Sequence, residues 1–180
     1  KKLSELAVRG QYEGYANEKG VRRNSQTETY FRLETYVDSP RWKNVPFYLE
    51  SGKAMAESKS EINIYFKNEK QGKDAKDQDR QNILTFRIQP DEGIKIKFFV
   101  KTPGWGMNVE PKTLKFKYSD SPAFQELPDA YERVLYDAIT GDQTLFTSTD
   151  EVLAAWKFIT SVLNTWNSLP LMIYKKGSSL

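Results

Sequence analysis

Period-two alternation of apolar and polar positions runs through the middle of the chain. From Tyr30 onward, Phe31, Leu33, Thr35 and Val37 fall on one side of an extended segment, and Arg32, Glu34, Tyr36 and Asp38 fall on the other. Apolar residues spaced two apart mark a half-buried β-strand. The pattern returns at Ile62, Ile64 and Phe66, at Leu84, Phe86 and Ile88, at Ile94, Ile96, Phe98 and Val100, and at Leu114, Phe116 and Tyr118. These segments, each with one apolar side, predict an antiparallel sheet whose apolar face is covered. Helices supply the cover. Asp129 to Ile139 reads as a helix entered through Pro128 and closed by Gly141. A second helix starts at a capping box, with Ser148 as N-cap and Glu151 three residues on. Its stripe of Val152, Ala155, Trp156, Ile159, Leu163 and Trp166 has helical spacing and fits core packing better than a cofactor surface. The fold class is therefore α+β, a large and mostly antiparallel β-sheet with helices packed on one face. Residues 9–26 show no apolar period and read as an extended loop. Residues 67–82 are almost wholly polar and read as a solvated loop between two strands.

Length and composition narrow the picture. The 180 residues suit a single domain, 1–180, large enough for one continuous core. Hydrophobic content is only 38%, but 13% of residues are aromatic, which argues against disorder. A net charge of +3 from 27 basic and 24 acidic side chains, with no recognition motif, points away from nucleic acid. No apolar run reaches membrane length, and the N-terminus has no signal-peptide core, so a soluble, cytoplasmic protein with no membrane partner is expected. The first residue is Lys1 and not methionine, which reads as a fragment boundary or as processing.

The candidate chemistry is narrow. Without cysteine there are no disulfides, thiolate metal sites or thiol nucleophiles, and without histidine the commonest general base is gone. No Gly-x-Ser-x-Gly elbow surrounds any serine. The pairs Asp91-Glu92 and Asp150-Glu151 do not make an acid–base couple; the second fits the start of a helix. No spacing suggests a metal. Gly104-Trp105-Gly106 lacks the third glycine of a dinucleotide fingerprint and reads as a turn. Binding by cations and amides remains. Lys53 follows Gly52 at the end of an apolar segment, where an ammonium suits a phosphate or sugar hydroxyl. Gln89 ends a strand just before Pro90, and its amide can both donate and accept. On the residues alone, each reads better as a solvated side chain than as a ligand contact. The polar side of the strands carries Tyr30, Arg32, Glu34 and Tyr36, then Asn63, Tyr65, Lys97, Phe99 and further lysines. It reads as a solvent face, as an oligomer interface favoured by its rings, or as an anion site.

Two strings arise from no simple periodicity: Arg87-Ile88-Gln89-Pro90-Asp91-Glu92-Gly93-Ile94 and Leu127-Pro128-Asp129-Ala130-Tyr131-Glu132-Arg133-Val134-Leu135-Tyr136-Asp137-Ala138-Ile139-Thr140-Gly141-Asp142. With Arg9-Gly10-Gln11-Tyr12, Ser25-Gln26-Thr27-Glu28-Thr29, Arg41-Trp42-Lys43-Asn44-Val45-Pro46-Phe47-Tyr48-Leu49, Gly52-Lys53, Asp150-Glu151-Val152 and Ala155-Trp156, they resemble the C-terminal domain of glucose-6-phosphate dehydrogenase over nearly the whole chain. The resemblance implies the latter part of a substrate-binding and oligomerisation domain, in an NADP-dependent enzyme that oxidises glucose 6-phosphate to its lactone in the pentose phosphate pathway. It implies that Lys53 and Gln89 contact the sugar phosphate. Many members place a second cation five residues beyond the lysine; here Ser58 stands there and Lys59 follows, so Lys59 is the substitute candidate. The catalytic histidine and the NADP-binding Rossmann domain have no counterpart here, so the chain alone is expected to be inactive and to hold no cofactor. Some eukaryotic members bind a second, structural NADP. Lys59, Arg87 and Lys97 match that pattern, but Glu50, Asn63, Lys115 and Ser179 do not, so none is expected. The family dimerises through this domain's sheet, which implies a homodimer. The alternative is a catalytically inactive interaction module derived from the same domain.

Overall fold

The computed structural model describes residues 3–67, 80–106, 108–122 and 130–179. Most of the polar loop read at 67–82 and the Pro128 entry to the first predicted helix lie outside these residues. The elements, in order, are α1 (Leu3–Leu6), β1 (Ala7–Tyr12), β2 (Tyr30–Tyr36), β3 (Pro46–Gly52), β4 (Ser60–Tyr65), β5 (Ile83–Gln89), β6 (Gly93–Lys101), β7 (Val109–Lys117), α2 (Ala130–Thr140), α3 (Thr149–Trp166) and β8 (Leu171–Tyr174). The class is α+β. The strands divide over two four-stranded sheets, β3-β2-β1-β8 and β4-β5-β6-β7. The chain likewise forms two compact units, one made of the residues up to Glu57 with those from Asp137, the other of Ser58–Tyr136.

The first unit contains the helix-on-sheet core. Ala7 and Leu33 from β1 and β2 meet Val162 and Trp166 of α3, with Leu169 beyond the helix; Phe31 and Ile159 pack at the edge. Only the C-terminal part of the expected α3 stripe serves this core, through Trp166 and Ile159 with Val162 beside them; Val152, Ala155, Trp156 and Leu163 stay exposed. The capping box forms as expected. The Ser148 hydroxyl accepts from the Glu151 amide at 3.2 Å, and the Ser148 amide donates to the Glu151 carboxylate at 2.7 Å. The Ser148 amide and the Ser148 hydroxyl, which also donates to the carboxylate at 2.8 Å, hold the Glu151 carboxyl below its ordinary value. β1 and β8, which pair in parallel, carry no alternation: β1 holds buried polar residues and β8 is only four residues long. Arg9 and Gln11, at 5% and 6% exposure, make β1 look like loop in sequence.

The second unit is an antiparallel meander whose register aligns the apolar positions into rows. Ile64, Leu84, Ile96 and Leu114 form one row across the four strands; Ile62, Phe86, Ile94 and Phe116 form another. Residues directly opposite share a face and stabilise the pairing. Several of these side chains stay exposed, Ile62 and Leu114 at 56% and 61%. Among the described residues the helix packing is that of the C-terminal part of α3 on the first sheet, while most apolar side chains of α2 are exposed, a division that alternation alone does not encode.

One expected face residue is displaced. The alternation groups Tyr30 with the polar side, yet it is buried. Its two cross-strand neighbours are Gly10 and Gly52, and its ring contacts Tyr174 at 5.9 Å. A Cβ on Gly52 would come within 2.9 Å of the Tyr30 ring, so the flanking glycines make the seat. Tyr30 is a core residue and does not belong to any exposed interface.

Candidate functional site

Lys53 leaves the end of β3 on a loop held from both sides. Its amide donates to the Thr29 carbonyl at 2.8 Å, and its carbonyl accepts from the Tyr174 hydroxyl at 2.7 Å. Ala54 follows with φ 53, a left-handed conformation that costs a non-glycine residue about 1 kcal/mol or more. The turn after β8 secures it: the Gly177 amide donates to the Ala54 carbonyl at 2.8 Å, and the Ala56 amide to the Ser178 carbonyl at 3.1 Å. The backbone is thus fixed while the Lys53 side chain is exposed. Among the described residues no carboxylate pairs with its ammonium, so the charge is available to an anion.

The string around Gln89 forms the β5–β6 hairpin. Pro90 fixes the backbone at one position of the turn, and Asp91 follows with a positive φ of 58. Gly93 then re-enters the sheet where only glycine fits, because a Cβ would lie 2.3 Å from the Phe116 carbonyl oxygen. On the other side of β5, the register shifts between Ser60 and Glu61, setting Ser60 opposite Gln89 and Glu61 opposite Arg87. The hairpin end and the start of β4 enclose an open cleft of about 470 Å³, lined by Ser58, Lys59, Ser60, Gln89, Pro90 and Glu92. Gln89 and Lys59 therefore share one cleft in the second unit, while Lys53 belongs to the first.

Glu61 organises the cations beside this cleft. Its carboxylate lies 3.3 Å from the Lys59 ammonium and 3.2 Å from the Arg87 guanidinium, and it accepts from the Asn63 amide at 3.0 Å. Burial raises the Glu61 carboxyl's pKa, but the Asn63 hydrogen bond and the Lys59 and Arg87 charges outweigh that and hold it below the ordinary value. Lys59 and Arg87, two of the three cations that match the structural-nucleotide pattern, are thus compensated within their own sheet. Lys59 reaches the cleft with its charge already shared. The Gly104–Gly106 segment joins β6 to β7 and opens no helix, so it does not fit a dinucleotide phosphate loop.

Other residues of the quoted strings hold this scaffold. The Arg9 Nε donates to the Leu169 carbonyl at 3.0 Å, and Gln11 donates to the Ser25 and Thr27 carbonyls, both at 2.9 Å. Sequence reasoning passed over Thr29 and Tyr174, which touch the Lys53 loop directly. Thr29 stands inside a quoted string without a role. Tyr174 ends a four-residue strand too short for a periodic signal.

The family model for "Glucose-6-phosphate dehydrogenase, C-terminal domain" matches residues 1–179. The chain belongs to this family. It is 42% identical over 190 residues to glucose-6-phosphate 1-dehydrogenase of Chlamydia pneumoniae, covering 96% of this chain and 37% of that protein. With the enzyme of Borreliella burgdorferi it shares 39% identity over 188 residues, 98% of this chain and 39% of the other. A solved glucose-6-phosphate dehydrogenase in complex with its substrate glucose 6-phosphate superposes with a TM-score of 0.85 at 30% identity, over 98% of this chain and 38% of that one. The enzyme of Mycobacterium avium gives 0.75 at 30% identity, over 97% and 37%. The chain thus spans under two-fifths of the length of these relatives.

Proposed function

We propose that this chain is the sugar-phosphate-binding part of an NADP-dependent glucose-6-phosphate dehydrogenase. The enzyme oxidises C1 of glucose 6-phosphate to the 6-phosphogluconolactone, passing a hydride to NADP in the pentose phosphate pathway. The family match over residues 1–179 carries this reading. The fixed backbone and available charge of Lys53 support its role at the substrate: a preordered cation loses little freedom on meeting the ligand. Gln89 serves sugar hydroxyls through its amide, and Lys59, shared with Glu61, is the weaker contact. No dinucleotide loop or histidine is available in these residues, so hydride acceptance and proton removal fall to residues outside this chain. A cytoplasmic setting is part of this proposal.

We further propose a homodimer through the β4–β7 sheet, whose exposed Tyr65 offers ring area suited to a symmetric contact. The function is tested by following NADP reduction through the absorbance of the reduced nicotinamide. The full dehydrogenase carrying this chain should turn over glucose 6-phosphate, and the isolated 180 residues should not. Turnover by the isolated chain above a contaminant control refutes the division of labour.

A further inference from the structure

The Lys53 loop is closed by a directed chain of hydrogen bonds that starts in β1. The Tyr12 amide donates to Thr29 Oγ1 at 3.0 Å, Thr29 Oγ1 lies 2.8 Å from the Tyr174 hydroxyl, and that hydroxyl donates to the Lys53 carbonyl at 2.7 Å. Each hydroxyl has one proton, and only one ordering satisfies every member. The amide must donate to Thr29, Thr29 must donate to Tyr174, and Tyr174 must donate to Lys53. A longer contact of 3.2 Å from Tyr174 to the Thr29 carbonyl shares the last proton. Chains polarised in one direction strengthen each member, and burial raises the cost of breaking any of them. Tyr174 is 4% exposed, with Tyr30 and Tyr12 rings at its edges and Gly10 beneath it, where a Cβ would come within 3.3 Å of its ring.

We infer that Tyr174 is a positioning residue for the sugar-phosphate contact, acting through the Lys53 backbone and never touching the ligand itself. The inference rests on the reading of Lys53 given above. Removing the hydroxyl leaves the Lys53 carbonyl without its donor beside Ala54, whose left-handed backbone needs support. The loop then samples conformations in which the ammonium is misplaced, which lowers affinity for the sugar phosphate and leaves the hydride step unchanged.

The test uses the full dehydrogenase carrying this chain and four variants, Tyr174→Phe, Thr29→Val, Lys53→Ala and the double variant Tyr174→Phe/Lys53→Ala. Tyr174→Phe keeps the ring packing and removes only the oxygen. It should raise the KM for glucose 6-phosphate about threefold to tenfold, the scale of one lost hydrogen bond, with the KM for NADP unchanged and kcat within about twofold. Thr29→Val cuts the same chain one link earlier and should act in the same direction, so it serves if Tyr174→Phe does not accumulate. In the Lys53→Ala background, Tyr174→Phe should add nothing, because its effect passes through Lys53. A purely structural Tyr174 would lower Tm and leave the KM unmoved, and that result overturns the inference while leaving the Lys53 reading intact. If Lys53→Ala itself leaves the KM unchanged, both the reading and the inference fall.

Discussion

Arg9 opens the first of the strings that carry the family resemblance, and the structure makes it a clamp. Arg9 is 5% exposed, and its guanidinium sits just past the C-terminal end of α3, where carbonyls are left without helical partners. Nε donates to the Leu169 carbonyl at 3.0 Å; Nη1 donates to Asn167 at 3.3 Å and lies 3.9 Å from Glu28. The first bond dominates. It is charge-assisted, which is worth roughly 1.5–3 kcal/mol, and deleting it strands a buried carbonyl at a cost of about 1–3 kcal/mol that overlaps with it. The Asn167 bond adds about 0.5–1 kcal/mol, and Glu28, a third exposed and nearly 4 Å away, adds little. Arg9→Met, which keeps the aliphatic stem, should therefore lose about 2–4 kcal/mol in urea unfolding followed by far-UV circular dichroism. Arg9→Lys should recover less than half, because one ammonium cannot reproduce the fork. If Arg9→Met lies within about 0.5 kcal/mol of the parent, the clamp is not real.

Three further outcomes follow from the same geometry. Ser148→Ala removes the α3 cap and should cost about 1 kcal/mol by the same unfolding assay. Glu61 has a lowered folded pKa, so its contribution is complete above the unfolded carboxylate value and is lost as pH falls through the lower folded one. Glu61→Gln should accordingly lower Tm at neutral pH and converge with the parent in acid; parallel curves across the acid range would remove the ion pairs from the account. Replacing Tyr65 and Phe99 together with Asp should give monomers with an unchanged far-UV spectrum by light scattering, and a parent already monomeric at high concentration would refute the sheet-mediated dimer.

How far the sequence could be read follows from which residues carry local signals. Ser148 and Glu151 declare a helix start within four positions, and the cap forms as read. The rows through Ile64, Leu84, Ile96 and Leu114 declare strands, because a period of two is local. Which sheet a strand joins is a long-range fact: β1 finds β8 across most of the chain, and Tyr30 is buried because glycines on two other strands leave room for it. The same limit governs the site. Lys53 and Gln89 were visible as a cation and an amide at strand ends. The Thr29 and Tyr174 bonds that fix Lys53 join residues far apart in sequence, and no spacing announces them.

Lys53 against Lys59 gives the most direct test of the account. Lys53 has no carboxylate partner among the described residues, whereas Lys59 is shared with Glu61 at 3.3 Å. In the full dehydrogenase, steady-state kinetics should show Lys53→Ala raising the KM for glucose 6-phosphate by about tenfold or more, the scale of a charge-assisted contact, and Lys59→Ala raising it by less. An unchanged KM in Lys53→Ala, in a variant that folds and still binds NADP, would contradict the claim that this chain holds the sugar phosphate through that residue.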